Sequence, residues 1–420
     1  MTRVDFAGAT RVDAGVRGVP GVPRAVVLVT DGDTRAALAA TRSLIHAGHF
    51  VYVAAHGAQS LAGASRGARP LVVDADPLSD PAAFARETAV LAGRVGARVV
   101  LPVTDASVGA VLHERALFAP GVVLPFPDAA VFDRASDKVA MAALANAAGL
   151  RAPESVTLAS AADRAAVERF PHYPAVLKPH ATVVAGPGAT RRKLGVSIVD
   201  SAAQAGALLR RLPRSAFPVL LQERVHGPGE GVFLLRWNGE YLAEFGHRRL
   251  REIPPSGGVS VYRESIPVDP TLSVAARRLL DALDWQGVAM VECKRDLRNG
   301  RHVFMEVNGR LWGSLQLAID AGVDFPALLV AAALGVPARA PADYRAGVRS
   351  RWFWGDMDHL YALLRHSGAR LHLDGPAHSR AAAIASVFRY RPGRDRWEVE
   401  RRDDPGPFLL ETRRRLGLTR

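Results

Sequence analysis

The sequence predicts an α/β fold in its first part and an α+β fold in the rest: a doubly wound α/β domain over residues 24–125, followed by a larger unit built on antiparallel sheet. Three observations carry this. Between Arg24 and Leu124, short apolar runs alternate with stretches of helical period, the pattern of parallel strands joined by covering helices. Farther on, Asn238-Gly239 separates two apolar runs as a hairpin turn does. Two strongly apolar runs, 288–293 and 303–307, each carry one carboxylate, Glu292 and Glu306, and are separated by a second turn signal, Asn299-Gly300.

Residues 1–23 hold Arg and Gly but no continuous apolar segment, and are expected to be a loose leader rather than a secretory signal. Ala25-Val-Val-Leu-Val29 is an unbroken β-branched run, hence a buried strand. A helix over 34–47 ends at Gly48, and a second strand covers 50–54. Strand 71–73, helix 81–95 and strand 97–103 repeat the scheme. The loop after the first strand, Thr30-Asp-Gly-Asp-Thr34, lacks the G-x-G-x-x-G fingerprint, so no dinucleotide site is expected there.

The second unit opens with a helix over 136–148, expected to be capped by Ser136 and stopped by Gly149. Strands over 155–158, 175–178, 194–199 and 219–223 follow, with helices over 160–170 and 201–212 and a glycine-bearing loop over 180–193. After the hairpin, a helix over 271–283 leads into the two carboxylate strands. Past Leu334 a Pro/Ala/Arg-rich connection leads to Arg351-Trp-Phe-Trp354 and a helix near 357–365. Residues 337–420 are expected to form a basic, partly helical extension, and the region after Pro376 is weakly patterned.

Composition narrows the function. A chain of 420 residues with 49% hydrophobic content can bury the cores of two or three domains. Its single cysteine, Cys293, excludes an intramolecular disulfide framework and a Cys-rich zinc site, and points to a reducing compartment. The longest apolar stretch, 325–338, is too short to span a bilayer and contains Pro and Gly; a cytoplasmic protein is expected. The net charge is +13, yet the arginines are scattered among acids and no aromatic-basic repeat occurs, so nucleic acid is not an expected partner. Only four basic residues are lysine, Lys138, Lys178, Lys193 and Lys294, against 54 − 4 = 50 arginines, which makes each lysine worth inspection.

In an extended segment residues i, i+2 and i+4 share a face, so Glu306, Asn308 and Arg310 are aimed at one spot. If the two apolar strands pair, Glu292 joins them. Two carboxylates and an amide oxygen suit a hard cation, and a guanidinium suits a phosphate beside it. Lys178 ends an apolar strand, and the loop after it, with Gly186-Pro-Gly188, Thr190, Arg191, Arg192 and Lys193, is able to fold over a polyphosphate. It is not a Walker A loop, which occurs nowhere in the chain. Strand 219–223 ends in Glu223 and exposes the backbone of Arg224 and Val225 to a purine edge, while Glu230, after a glycine turn, could accept from ribose hydroxyls. His247-Arg-Arg249, Arg251 and Arg263 lie between these elements, either near an anionic group or on a solvated edge strand.

In order and spacing these residues resemble the ATP-grasp superfamily of carboxylate-amine ligases and carbamoyl-phosphate-synthase-like enzymes, over roughly 128–334. The resemblance implies an α/β domain preceding an ATP-grasp fold over 126–336, in which two α+β lobes clasp ATP. It implies that Lys138 and Lys178 contact ATP, Lys178 near the α- and β-phosphates, with 180–193 as the flap. Gln222, Glu223 and Val225 would hold adenine and Glu230 the ribose. Glu292, Glu306 and Asn308 would hold Mg2+ or Mn2+, and Arg310 would face phosphate. Arg310 and Lys178 would be the catalytic residues. Within the superfamily, Thr30–Ala37 with the 247–249 and 257–258 segments looks most like predicted ATP-dependent carboligases related to D-aspartate ligase. The flap has fewer consecutive glycines than is typical, and no further acid precedes Glu306, so further metal ligands would be water or phosphate.

The expected reaction is ATP-dependent activation of a carboxylate as an acyl phosphate and its capture by an amine, both substrates small and amino-acid-like, in a protein for which a homodimer is a natural assembly. Two alternatives stay open: an enzyme of the same fold that phosphorylates another acceptor or activates bicarbonate, and a non-catalytic nucleotide-binding interaction module. The one G-x-S-x-G match, Gly63 to Gly67, sits in a loop and is not a nucleophile elbow.

Overall fold

The computed structural model describes residues 23–341, 343–368, 370–374 and 379–418. The expected leader therefore lies outside the described residues, apart from Pro23.

The N-terminal unit is a four-stranded parallel sheet in the order Arg69–Val72, Phe50–Ala55, Val26–Val29, Val99–Leu101. Val27 and Val29 face one core and Leu28 another, so the central strand is buried on both faces, as its unbroken apolar run demands. The helices begin where the chain supplies caps. The hydroxyl of Thr34 accepts from Ala37 N–H at helix Arg35–His46, and the carboxylate of Asp80 accepts from Ala83 N–H at helix Pro81–Val95.

The second unit has two lobes. The smaller holds an antiparallel sheet in the order Ser155–Leu158, Val219–Glu223, Ala175–Pro179, Ser197–Val199, with its own core around Leu158, Leu177, Val199 and Leu221. The expected helices are shorter, Arg164–Arg169 and Ala202–Leu209. The glycine-bearing loop is not irregular throughout: Val183–Ala185 and Arg191–Lys193 pair as a small hairpin.

The larger lobe is a seven-stranded sheet in the order His302–Asn308, Gly287–Arg295, Gly229–Trp237, Glu240–Ile253, Val259–Ile266, Arg349–Arg351, Asp395–Trp397. The Asn238-Gly239 hairpin is present, both residues at positive φ as a tight two-residue turn requires. Its second strand runs on to Ile253, past the apolar run that follows the turn, because polar residues there pair into the sheet.

Two expectations are corrected. The helix that opens the second unit's lysine segment begins with Lys138 itself, Lys138–Ala148, and its cap is Asp137, whose carboxylate accepts from Val139 and Ala140 N–H; Ser136 instead ends the helix before it, Ala129–Ser136. Residues 337–420 are not merely an extension, since Arg349–Arg351 and Asp395–Trp397 complete the large sheet. Their cohesion is largely ionic. Arg42 donates to Asp404 (2.7 Å) and to the carbonyls of Glu398 and Val399, tying the first helix of the N-terminal unit to the C-terminal segment. Among the described residues no single helix is long and apolar enough to cross a membrane.

Glu400 accepts from Phe353 N–H (2.9 Å) at the start of helix Phe353–Arg365. Burial raises its pKa to about 7. A carboxyl whose folded pKa lies above the unfolded value contributes stability that is complete below pH 4.5 and lost as pH rises through about 7. Glu400→Gln should therefore gain thermal stability relative to wild type between pH 5 and pH 8; a difference in melting temperature that is flat or falls over that range would disprove the burial effect.

Candidate active site

The carboxylate strands pair as the turn signal predicts. Glu292 stands opposite Glu306 and Met290 opposite Asn308. A bulge between Glu292 and Cys293 leaves Met305 without a partner, so that Met305 and Glu306, though adjacent, both line the cleft between the lobes. Asn308 joins the pair, its Nδ2 3.4 Å from Glu292 Oε2 and 3.3 Å from Glu306 Oε1. The chain then leaves the strand through Gly309, where a Cβ would lie 2.3 Å from the ring of Trp285. Glycine is the residue that lets the backbone pass, and this passage fixes Asn308 and Arg310 on either side. Arg310 Nη2 donates to Asn308 Oδ1 (3.1 Å), and its Nε donates to Asp105 Oδ1 (3.2 Å) in the first turn of helix Asp105–His113.

Two half-buried carboxylates side by side need compensating charge. Arg249 Nη2 lies 2.6 Å from Glu292 Oε2, and Lys138 Nζ lies 3.5 Å from Glu306 Oε2 while donating to Thr182 Oγ1 (3.0 Å) at the base of the hairpin. Lys178 Nζ is 4.0 Å from Met305 Sδ. Burial raises the pKa of Glu292 and the charge of Glu306 adds to it, outweighing Arg249. Burial also acts to raise Glu306, but Lys138, Lys178 and Arg310 together hold it below its ordinary value. Lys178 is lowered by burial and by Lys138, in spite of Glu306.

Glu306 and Asn308 stand at the junction of two cavities. One, of about 650 Å3, runs from Gln222–Val225 past Lys178 to Arg249 and Arg310. The other, of about 260 Å3, lies under the hairpin, between Lys138, Thr182 and Arg191. Lys138 lines the second and Lys178 the first, so the two lysines flank the carboxylates from opposite sides.

The oxygen donors fit a divalent cation. Two carboxylates and an amide share one spot, the set of oxygen donors that a hard divalent cation prefers. Among the described residues no group of three or more His, Cys, Asp or Glu could hold a metal ion, so an ion here would draw its remaining ligands from phosphate or water. The Asn308 amide would present its oxygen by a half-turn about its own axis.

At the other end of the large cleft, Gln222, Glu223 and Val225 are brought together as expected. The Glu223 side chain is committed, however, accepting from Arg151 (2.7 Å) and Glu154 N–H (3.2 Å) and lying 3.3 Å from Arg298. What it offers a base is backbone. Val225 O already accepts from Lys294 Nζ (3.1 Å).

Glu230 is not part of this site. It stands opposite Cys293 and Arg248, whereas Gly231 stands opposite Glu292. A one-residue step along a strand turns the side chain to the other face of the sheet. There Glu230 pairs with His302 (2.8 Å) and Arg248 (3.4 Å), and the expectation that it holds a ribose is withdrawn. Nor is the arginine cluster a solvated edge: Arg249 and Arg263 are interior, Arg263 wholly buried against Glu398. The sequence reading did not assign Arg249, Asp105 or Thr182 to this site. Of these only Asp105 carries a positional signal, at the C-terminal end of a parallel strand, where α/β sheets place functional groups.

Part of this chain, including both carboxylate strands, is similar to an ATP-grasp family. Residues 216–355 match the family model described as ATP-grasp in the biosynthetic pathway with Ter operon. Solved structures of similar fold include an L-amino acid ligase from Bacillus licheniformis, with 15% identity and a TM-score of 0.59 over 78% of this chain and 79% of that one. N5-carboxyaminoimidazole ribonucleotide synthetase from Thermus thermophilus aligns at 16% identity and a TM-score of 0.56, over 77% and 81%. Biotin carboxylase from Campylobacter jejuni, in a β,γ-ATP complex, aligns at 15% and 0.59, over 77% and 74%. No curated protein sequence matches the chain.

Gly309→Ala should force Trp285 or the backbone to move, costing about 1–3 kcal/mol. A urea midpoint unchanged from wild type would show that the passage is not tight.

Proposed function

We propose that this chain is an ATP-dependent ligase that activates a carboxylate as an acyl phosphate and joins it to an amine, releasing ADP and phosphate. The observation that carries the reading is the Glu292–Glu306 pair with Asn308, set between a long cleft with a backbone hinge and a cationic cavity under a hairpin.

The residues divide the work by position. Backbone at Arg224 and Val225 meets the base. Lys178 and Lys138, on opposite sides of the carboxylates, offset the charge of the phosphates. Mg2+, or Mn2+ in its place, bound by Glu292, Glu306 and Asn308 would draw charge from the β- and γ-phosphates as the γ-phosphoryl moves. A carboxylate oxygen takes that phosphoryl, the bond to the β-phosphate oxygen breaks, and ADP leaves. The amine then forms its C–N bond at the acyl carbon, the C–O bond to phosphate breaks, and the amine gives up a proton. Arg310, held by Asp105, is placed to stabilise the oxyanion or the departing phosphate. The hairpin, with Thr182 and Arg191, covers the cavity against water, which would otherwise hydrolyse the acyl phosphate. The substrates are small and amino-acid-like, and the enzyme works in the cytoplasm, where ATP is supplied.

Hydroxylamine supplied with ATP and a pool of carboxylates should trap a hydroxamate. ADP formed without any hydroxamate would favour a phosphotransferase or a bicarbonate-activating enzyme instead. Glu306→Gln should lower amine-dependent phosphate release on the order of 100-fold or more while nucleotide binding persists. Undiminished turnover in that variant would remove Glu306 from the mechanism.

A further inference from the structure

The hinge end of the large cleft is closed by a segment to which the reading above gives no role. Residues 370–374 return from the C-terminal part of the chain to the end of strand Val219–Glu223. The turn is fixed locally, with Leu371 N–H donating to Ser367 O (3.1 Å) and the Leu371 side chain buried. Asp374 then binds the stretch that follows the hinge. Its Oδ1 accepts from Arg224 Nη2 (2.8 Å) and lies 2.7 Å from His226 Nδ1, and its Oδ2 accepts from Gly227 N–H (2.9 Å). Lys294, which donates to Val225 O, is 3.9 Å from the same carboxylate. One side chain thus organises the groups around Val225.

Between these anchors lies His372. Its carbonyl accepts from Arg224, and its φ of 47° is a conformation that a non-glycine residue adopts only when its surroundings hold it there. His372 lines the cleft together with Val176, Ile198 and Gln222, and its Nδ1 is 3.6 Å from Asp200 Oδ1 of the smaller lobe. The segment therefore spans the hinge, tied to the stretch after it by Asp374 and to the smaller lobe through the His372 imidazole.

We propose that His372 is a further nucleotide-contacting residue, and that Asp374 is the positioning residue that latches it over the hinge edge of the slot for adenine. The inference rests on the ATP reading above. A base met by backbone on one edge and by apolar side chains on its faces still has an outer edge open to water. An imidazole held there by Asp374 covers that edge and contacts base or ribose, far from the phosphates.

Calorimetric titration of the full chain with MgADP, without carboxylate or amine, tests this. His372→Ala and Asp374→Asn should each weaken ADP about threefold to tenfold, the range for one lost polar contact. Affinity for inorganic tripolyphosphate should not change, and in turnover the KM for ATP should rise with kcat held. Unchanged ADP affinity in His372→Ala would overturn the contact. Equal losses for ADP and tripolyphosphate would mean a general disturbance and overturn the positioning role. If the wild-type chain itself binds no ADP, the ATP reading fails first and this inference with it.

Discussion

Glu292 and Glu306 face each other across two paired strands on the wall of the cleft, and like charges at that spacing are unfavourable unless something opposite lies beside them. Each of the cations that answer this problem comes from a different place in the chain. Arg249 arrives on a long strand of the same sheet, Lys138 on a helix, Lys178 from the smaller lobe, and Arg310 through a loop squeezed against Trp285. The carboxylate pair thus demands that both lobes and the helix between them be in register. A site of this kind cannot be built by one element alone.

The same logic explains the tie to the N-terminal unit. Arg310 is shared between Asn308 and Asp105, so the parallel sheet that ends near Asp105 sets the direction of a guanidinium in the site. The hairpin is anchored on that unit as well, since Arg191 N–H donates to Leu78 O (2.5 Å). A domain without a nucleotide fingerprint of its own shapes the site from outside.

Much of this was legible in the sequence wherever a local signal existed. Unbroken β-branched runs marked the parallel strands, Asn-Gly pairs marked two of the hairpins of the large sheet, and the pairing of Glu292 with Glu306 followed from the second of these turns. Glu230 was misplaced because its face depends on which residue stands opposite it, and register is a relation between strands rather than a property of one. Ser136 and Asp137 are both good caps, and nothing nearby chooses between them; the break between two helices does. The C-terminal strands were missed because each is three residues long and is held by ion pairs to distant residues instead of by apolar alternation.

Arg35, at the start of the first helix, lines the large cleft, and Glu398 Oε2 holds it (2.6 Å) along with the buried Arg263. The partner of a residue made near the beginning is thus made near the end. On the ribosome, a growing chain has both lysines and the carboxylate pair well before it has Glu398, and during that interval Arg35 lacks its carboxylate partner and keeps the Ser260 carbonyl. Synthesis itself sets the order: Lys138, Lys178, Glu292 and Glu306 are all in the chain before the carboxylate that fixes Arg35 is made.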